Sequence, residues 1–256
     1  MGYNELIYDE KYLYMVMPFL CHGNLLSLIA SNAGTELFTE RLARFVFQQL
    51  LLILRYMKQR GVVHRDISSE NIMFNDDAQC LLIDVGMAIC VPEGMEGAPR
   101  APMRGQGRCG KYAYMAPDIF DDWDSFDGYG VDLWSTGIVL FAMLSCANKD
   151  CPDGNRLLYH MPSPFDPIFM KLIEPDGKGL ERIASRWKLK ISKNAIDLLQ
   201  SIFQIDPADR PTLEQVMMHP WVTDPDVATQ EEMMEFVVMQ KLREITRLLQ
   251  TKDIPR

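Results

Sequence analysis

The sequence lacks the features of several specialised protein classes. Its six cysteines and four histidines form no CxxC pair and no zinc-finger spacing. Acidic residues outnumber basic ones by 35 to 26, which argues against a broadly nucleic-acid-binding surface. No basic or hydrophobic leader opens the chain, and its most apolar run, GIVLFAMLSCA from Gly137, is too short to cross a bilayer. These absences predict a cytoplasmic protein with reduced thiols that binds neither nucleic acid nor membrane.

A second absence is local: the segment from Asp84 to Asp118 contains no Ser and no Thr. Residues 85–112 hold three prolines and six glycines without any visible period, which predicts a long loop. Three of these glycines have the GxGxxG spacing of a phosphate-binding loop: Gly105, Gly107 and Gly110. That spacing is meaningful only when it follows a strand and opens a helix or hairpin. Neither pattern flanks it here, so we expect a mobile segment and not a phosphate cradle.

The rest of the chain has an ordinary globular composition, 48% hydrophobic and 24% charged, with clear periodic patterns. Apolar residues at spacings of three and four predict helices over residues 24–31, 39–60, 131–147, 193–204, 212–219 and 229–250. Short apolar runs predict strands over residues 12–19, 71–75 and 80–86. Asp76 and Asp77 are suited to a tight turn between the last two strands.

Two short segments carry the residues best suited to chemistry. HRDISSEN, from His64 to Asn71, follows a short apolar strand, and a later strand leads into DVG from Asp84. Adjacent strands would bring Asp66, Asn71 and Asp84 to one pocket, as two carboxylates and a carboxamide. Phosphoryl transfer uses such a set, because it needs a carboxylate near the attacking hydroxyl and oxygen ligands for Mg²⁺.

The order of five motifs resembles that of a eukaryotic protein kinase: HxDxxxxN, DxG, APD, DLWSTG and DPADRPT. The resemblance runs from Tyr12 to about Val222. It implies a mainly α fold with small β elements (α+β), a kinase-like large lobe with only the last strands and hinge of the small lobe. The implied domains are a small-lobe remnant and hinge over 1–20, the large lobe over 21–222, and a helical extension over 223–256.

The resemblance also implies the roles of the catalytic residues. In the catalytic loop, 64–71, Asp66 would orient the substrate hydroxyl and accept its proton, while His64 would be structural. Asn71 and Asp84 would bind the Mg²⁺ that accompanies ATP, and Asp84 would open the activation segment, 84–118.

Six further residues would form the ATP site: Met17, Pro18, Leu20, Asn24, Leu25 and Met73. The first three correspond to the hinge, where the backbone of Pro18 and Leu20 would hydrogen-bond the adenine. Asn24 would reach the ribose, and Leu25 and Met73 would sandwich the adenine.

Other residues resemble the family's buried anchors. Asp132 would hold the backbone of the catalytic loop, and Asp118 and Arg210 would pair at the end of the activation segment. Asp118 replaces the usual Glu and is one methylene shorter, which predicts a weakened bidentate contact. Arg65 in the family often pairs with a phosphorylated loop residue. Because the loop has no Ser or Thr, phosphorylation there on these residues is excluded. Glu93 or Glu96 could pair with Arg65 instead, and the favoured alternative is that both are solvated surface charges.

Two departures from the family pattern are linked by their positions. Ser68 stands where Ser/Thr kinases usually carry a lysine, and Lys111 stands where they usually carry a threonine that meets it. One hypothesis is that the Lys111 ammonium reaches Asp66 and Ser68 and supplies the charge from the other side. The alternative is that both positions drifted after activity was lost. A third departure is Val85, which replaces the family's phenylalanine.

No glycine-rich loop, family lysine or αC glutamate precedes Tyr12, so we expect this chain alone to bind ATP poorly and to transfer phosphate slowly. The leading hypothesis is an ATP-dependent Ser/Thr protein kinase that acts on protein substrates, present as a truncated chain. The alternative is a kinase-like scaffold or binding module without turnover. Small-molecule kinases rank third, because they lack the APD and DLWSTG elements.

The last helical segment has a possible role in binding. Its apolar residues form one stripe: Met234, Val238, Leu242, Ile245 and Leu249. Five basic and two acidic residues lie between Lys241 and Arg256. Basic amphipathic helices suit calmodulin or a similar partner, although packing on the large lobe or self-association is the alternative.

Overall fold

The computed structural model describes residues 5–146 and 157–252. Its helices are α1 Leu25–Ser31, α2 Glu40–Gln59, α3 Pro117–Phe120, α4 Gly128–Ser145, α5 Pro167–Leu172, α6 Gly179–Arg186, α7 Lys193–Ile202, α8 Leu213–Met217, α9 Pro220–Thr223 and α10 Gln230–Lys252. Its strands are β1 Glu5–Tyr8, β2 Leu13–Val16, β3 Val62–Val63, β4 Ile72–Phe74, β5 Cys80–Leu82, β6 Ile89–Cys90, β7 Pro102–Arg104 and β8 Ser125–Asp127. The strands form four antiparallel pairs, β1–β2, β3–β6, β4–β5 and β7–β8.

Helix α2 follows directly from its sequence pattern. Thr39 caps its N-terminus, since Thr39 Oγ1 accepts a hydrogen bond from Leu42 N at 3.3 Å. One face of the helix is apolar and buried: Leu42, Val46, Phe47, Leu50, Leu51 and Leu54. The helix ends before Gly61, whose φ of 64° suits glycine. Helix α2 packs against α4. The chain then continues from α2 into β3 and the catalytic loop.

Helix α4 is the centre of the hydrophobic core. It is apolar all round, and such a helix is stable in water only when protein surrounds it. Among the described residues it is the one helix long and apolar enough to suit a membrane span, and 94% of that span is buried inside the protein. The structure starts it at Gly128, three residues before the predicted start, and the predicted last residue, Ala147, lies outside the described residues.

Several short strands and helices are not predicted by the sequence patterns. The predicted loop over 85–112 contains β6 and β7, which pair with β3 and β8. Two or three residues are too few to display a period, and their partners lie far away in the chain. The short helices α3, α5, α6 and α9 were also not predicted. The predicted fold class, mainly α with small β elements, is confirmed.

Helix α10 packs against α1 through a face that differs from the predicted stripe. Thr229 and Glu232 form a capping box, with Thr229 N donating to Glu232 Oε2 at 2.7 Å and Glu232 N donating to Thr229 Oγ1 at 3.2 Å. The buried side chains of α10 are Met233, Val237 and Gln240. The predicted stripe is largely exposed: Met234 is half-buried, and Val238, Leu242 and Ile245 are exposed. The Leu249 side chain lies outside the described residues.

Candidate active site

The catalytic loop is held by one buried carboxylate from α4. Asp132 Oδ2 accepts a hydrogen bond from His64 N at 2.7 Å, and Asp132 Oδ1 accepts one from Arg65 N at 2.8 Å. Burial raises the pKa of Asp132, while the two backbone N–H groups oppose that rise. Arg65 has a φ of 64°, a conformation that a non-glycine residue adopts at a cost unless its surroundings hold it. The contacts to Asp132 therefore fix the start of the loop, as the sequence predicts.

Asp66 is positioned by the asparagine five residues later. Asn71 Nδ2 donates to Asp66 O at 2.8 Å and to Asp66 Oδ2 at 3.0 Å. The Asp66 side chain remains 14% exposed, so a solvent-borne hydroxyl can reach it. A carboxylate held in this way can accept a hydrogen bond from a substrate hydroxyl without first reorganising.

Lys111 lies against the same carboxylate. Its backbone N–H donates to Asp66 Oδ1 at 3.2 Å, and Nζ lies 3.4 Å from Asp66 Oδ2 and 3.1 Å from Ser68 Oγ. Nζ also lies 3.4 Å from Glu70 Oε2. The predicted contact of Lys111 with Asp66 and Ser68 is present, while its catalytic role stays a prediction. The contact with Glu70 was not predicted. Glu70 lies two residues after Ser68 in the same loop, and this position was the sequence feature that could have indicated the contact.

Gly110 makes this close approach possible. Its φ is 85°, and a Cβ atom at this position would lie 2.6 Å from Arg65 O and 3.3 Å from Asp66 Oδ1. A larger residue would therefore push the segment away from the catalytic loop. The glycine is needed for backbone packing against Asp66. The expectation that no strand precedes the GxGxxG spacing is wrong, because β7 ends directly before Gly105, and the expectation that the spacing is not a phosphate cradle stays a prediction.

The β4–β5 pair brings Asn71 and Asp84 to one end of a hairpin. Ile72 pairs with Leu82, and Ile83 N donates to Asn71 O at 2.9 Å. The Asp84 carboxylate is exposed, and Oδ1 accepts a hydrogen bond from Gly86 N at 3.2 Å. Asn71 uses its amide nitrogen on Asp66, which leaves its amide oxygen for another partner. Carboxylate and carboxamide oxygens are ligands that Mg²⁺ prefers, so the residues present fit that ion.

The imidazole of His64 joins the two segments. His64 is completely buried, and Nε2 lies 3.1 Å from Ile83 O, next to Asp84. A buried ring that bridges two backbone segments has a structural role, which is the role that the sequence predicts for His64.

The buried pair at the end of the activation segment is singly bonded. Arg210 Nη2 donates to Asp118 Oδ1 at 2.7 Å, and both side chains are almost fully buried. Asp118 Oδ2 and Arg210 Nη1 have no hydrogen-bond partner within the described part of the chain. The pairing and the absence of a bidentate contact both agree with the sequence-based expectation, because the shorter aspartate side chain presents only one oxygen to the guanidinium.

The comparison with protein families agrees with this geometry. The family described as protein kinase domain matches residues 1–222. The chain belongs to the protein kinase family. The predicted family resemblance is therefore confirmed.

The relatives of this kinase domain include proteins named as kinases, among them serine/threonine-protein kinases. Sperm motility kinase 2B of Mus musculus is 30% identical over 221 residues, which cover 86% of this chain and 39% of the relative. Serine/threonine-protein kinase CHK1 of Mycosarcoma maydis is 32% identical over 226 residues, which cover 84% of this chain and 29% of the relative. Serine/threonine-protein kinase CHK1 of Saccharomyces cerevisiae is 30% identical over 215 residues, which cover 84% of this chain and 37% of the relative. The chain thus spans about two fifths or less of the length of these relatives.

The predicted hinge of the kinase domain follows the exposed β1–β2 ribbon. Met17 and Pro18 are exposed and Leu20 is half-buried, so the backbone of this segment is within reach of a ligand. Met73 is half-buried and pairs with Asn24 through an isolated β-bridge. Five of the six residues predicted to contact ATP therefore retain accessible surface: Met17, Pro18, Leu20, Asn24 and Met73.

Two of the predicted ATP contacts have other tasks in the kinase domain. Leu25 is completely buried in the hydrophobic core, so the prediction that it contacts adenine is wrong for this structure, because a side chain without accessible surface cannot touch a bound base. Asn24 caps α1, since Asn24 Oδ1 accepts a hydrogen bond from Ser27 N at 2.9 Å. Only its amide nitrogen remains available for a ribose.

Arg65 connects the catalytic loop of the kinase domain to the activation segment without a phosphate. Arg65 Nε donates to Met87 O at 2.8 Å, and Nη1 donates to Gln106 Oε1 at 3.2 Å. The suggested pairing with Glu93 or Glu96 is not what the structure contains. A carbonyl and an amide oxygen take that place, and both lie within the segment that lacks Ser and Thr.

Proposed function

We propose that this chain is the part of a Ser/Thr protein kinase that transfers the γ-phosphoryl group of Mg²⁺·ATP to hydroxyl groups of protein substrates. The observation that carries the proposal is the placement of Asp66. Its carboxylate is held by Asn71 and Lys111 on a loop that Asp132 anchors. Asn71 and Lys111 together fix one partly exposed carboxylate on an anchored loop, which is the arrangement that positioning of a nucleophile requires.

In this proposal the residues divide the work of phosphoryl transfer. Asp66 accepts a hydrogen bond from the substrate hydroxyl, orients it and takes its proton. Asn71 and Asp84 supply oxygen ligands for Mg²⁺, and the ion neutralises charge on the phosphate groups when it is bound. The Lys111 ammonium, 3.1 Å from Ser68 Oγ, places a positive charge beside the transferring group.

The direct test is phosphotransfer from radiolabelled ATP, at millimolar concentration with Mg²⁺, to a Ser/Thr peptide library. We expect Asp66→Asn to lower the rate by about 10²- to 10⁴-fold, because the proton acceptor is lost. Asp124→Asn, at an exposed aspartate outside the site, is the matched control and should retain the wild-type rate. Equal rates for wild type and Asp66→Asn would contradict the proposal.

The second candidate function is a kinase-like binding module without turnover. Val85 favours it, because this side chain, which follows Asp84, is 60% exposed and packs little of its apolar surface. The segment that carries the proposed metal ligand is then weakly held to the core. A binding module would keep the buried anchors at Asp132 and Asp118–Arg210 and would give no phosphotransfer in the assay above.

We also propose that the exposed face of α10 binds a partner such as calmodulin and that the protein acts in the cytoplasm. Support for a partner comes from the exposed apolar side chains Val238, Leu242 and Ile245 beside Lys241 and Arg243. Support for the location comes from cysteines that form no disulfide within the described residues: Cys21, Cys80, Cys90 and Cys109. Cys151 lies outside those residues.

A further inference from the structure

Two turns next to the hinge lie side by side. In the first, Leu20–Gly23, Gly23 N donates to Leu20 O at 3.4 Å, and Cys21 and His22 occupy the middle positions. The second, Asn75–Ala78, joins β4 to β5 and is closed by a bond of 2.9 Å from Ala78 N to Asn75 O. A bond of 3.3 Å from Phe74 N to Gly23 O connects the turns. This connection brings Asp76 next to Cys21 although the two are 55 residues apart.

Three side chains of these turns converge on one point. One ligand atom each from Cys21, His22 and Asp76 lie within 4.8 Å of one another, and this is the one such group of three within residues 5–146 and 157–252. Cys21 Sγ donates to Asp76 Oδ1 at 3.2 Å. His22 Nδ1 is shielded from solvent and has no hydrogen-bond partner in the described part of the chain. A shielded nitrogen without a partner is unusual in a folded protein and indicates that a group which could satisfy it belongs there.

The chemistry of the three groups selects a class of ligand. Thiolate, imidazole and carboxylate are the ligands of Zn²⁺, and three protein ligands leave a fourth, open position on a tetrahedral ion. With metal–ligand bonds of about 2.0 to 2.3 Å, the ligand atoms of such a site lie about 3.5 Å apart. The observed ligand atoms lie within 4.8 Å of one another, so side-chain rotations that bring them closer together would complete the site.

We propose that Cys21, His22 and Asp76 form a binding site for Zn²⁺ or a similar divalent cation. On binding, the Cys21 S–H proton leaves to solvent, and bonds from the thiolate, the His22 ring and the Asp76 carboxylate to the ion replace the Cys21–Asp76 hydrogen bond. The two negative ligands balance the charge of the ion. No oxidation or reduction is involved, because the metal and the sulfur keep their oxidation states.

The geometry around the thiol is compatible with this exchange. Cys21 Sγ donates directly to Asp76 Oδ1 at 3.2 Å. The thiol proton thus occupies the position between sulfur and carboxylate that a cation would take. His22 also lines an open groove between α1 and α10, with Ser27 and Gln240, which provides a path for the ion.

A metal ion at this location would connect two turns that lie beside the hinge. The ion would cross-link the turn that follows the hinge to the β4–β5 turn, and these turns lie one residue before Asn24 and two residues after Met73, which form the bridge. Met73 lies on β4, the strand that begins beside Asn71. Metal binding would therefore stiffen the junction between the hinge and the proposed catalytic residues.

The test is a titration of the metal-free chain with Co²⁺, a spectroscopic substitute for Zn²⁺, followed by displacement with Zn²⁺. Wild type should bind one ion and show a thiolate-to-cobalt charge-transfer band, which Cys21→Ser should abolish. His22→Ala and Asp76→Asn should each weaken binding by at least about tenfold, since even groups that only support a metal ligand contribute that much. Cys90→Ser, at another exposed thiol, and Asp77→Asn, in the same turn, are matched controls and should bind as wild type does.

A second measurement distinguishes loss of metal binding from loss of folding. Melting temperatures without metal identify any variant that does not fold, and Zn²⁺ should raise the melting temperature of wild type but not of Cys21→Ser. A charge-transfer band that persists in Cys21→Ser would overturn the proposal. Full affinity in both His22→Ala and Asp76→Asn would also overturn it, because it would indicate an adduct of a single thiol.

Discussion

At the scale of single residues, the ammonium of Lys111 is one departure of this kinase domain from the family pattern. It contacts Asp66, Ser68 and Glu70 together, so its charge sits beside the carboxylate proposed to orient the substrate. We expect Lys111→Thr to lower kcat/KM for phosphotransfer by about 10²-fold, because a positioned positive group that stabilises developing charge contributes on that order. Steady-state kinetics with a peptide substrate provide the measurement.

The control for Lys111 restores the family arrangement. Ser68→Lys combined with Lys111→Thr exchanges the ammonium and the hydroxyl, and the double variant should recover most of the lost rate. A further control, Lys111→Arg, keeps the positive charge and should lose less than Lys111→Thr. If the double variant remains as slow as Lys111→Thr, the two positions are not functionally exchanged, and drift is the better explanation.

The Asp118–Arg210 pair carries a second residue-scale prediction. Asp118 Oδ2 and Arg210 Nη1 lack partners among the described residues, and the longer side chain of Asp118→Glu can bring a second oxygen to the guanidinium. We expect Asp118→Glu to raise the free energy of unfolding by about 1 kcal/mol, the contribution of a typical additional hydrogen bond. Urea denaturation provides the measurement.

The matched variant for that pair is Asp118→Ala. It leaves the buried Arg210 charge uncompensated and should lower the free energy of unfolding by about 3 to 5 kcal/mol. The Arg210 guanidinium retains its bonds to Gln204 O and Ile205 O, which lessens the loss. A Glu variant less stable than wild type would mean that the added methylene is not accommodated and that the single bond is the better arrangement.

At the scale of the element, α10 has one face in the core and another in solvent. Arg41 binds Glu232 through two bonds of 3.0 Å, which hold the start of α10 to α2, while Leu242 is exposed. If the exposed face binds Ca²⁺-loaded calmodulin, Leu242→Glu should weaken binding by at least about tenfold, because it places a charge in an apolar interface. Calorimetric titration provides the measurement.

The control for α10 is Met218→Glu, at an exposed apolar residue on α8's C-terminal cap, which should leave binding unchanged. Removal of Ca²⁺ with a chelator should abolish binding of wild type. Absence of heat with the wild-type chain would exclude calmodulin as this partner, and equal affinity of Leu242→Glu would place any binding elsewhere.

At the scale of the whole molecule, nucleotide binding should appear as a change in thermal stability. A ligand present at about 100 times its Kd stabilises the folded form by about 2.7 kcal/mol, which for about 250 residues corresponds to several degrees in Tm. We expect millimolar ATP to raise Tm more with Mg²⁺ than without it, and Asp84→Asn to remove the part that depends on Mg²⁺. Differential scanning fluorimetry provides the measurement.

The control for the nucleotide experiment is Asp77→Asn, at an exposed aspartate of the β4–β5 turn, which should behave as wild type. A wild-type chain whose Tm is unchanged by nucleotide, with or without Mg²⁺, would favour the binding-module hypothesis. A shift without phosphotransfer would indicate a domain that binds nucleotide and does not turn it over.

The sequence predicted elements and contacts to different degrees. The long helix α2 was predictable because its buried face repeats over five turns and Thr39 caps it. The contact of Lys111 with Asp66 was predictable only by resemblance to a family in which these positions meet. Strands β6 and β7 were not predictable, since their pairing depends on β3 and β8 and not on a local pattern. The burial of Leu25 was missed because adjacency to the hinge does not specify which way a side chain points.

By itself, the sequence determined the acidic charge, the long helices, the absence of Ser and Thr from the activation segment, and the residues of the catalytic loop. The tertiary structure alone decided which groups meet across the chain: Asp118 with Arg210 through a single bond, α10 with α1, and Cys21 with Asp76 beside His22. Local patterns arise from the geometry of a helix or strand over a few residues. Contacts between residues 55 or 92 positions apart depend on how those elements pack, which no local pattern encodes.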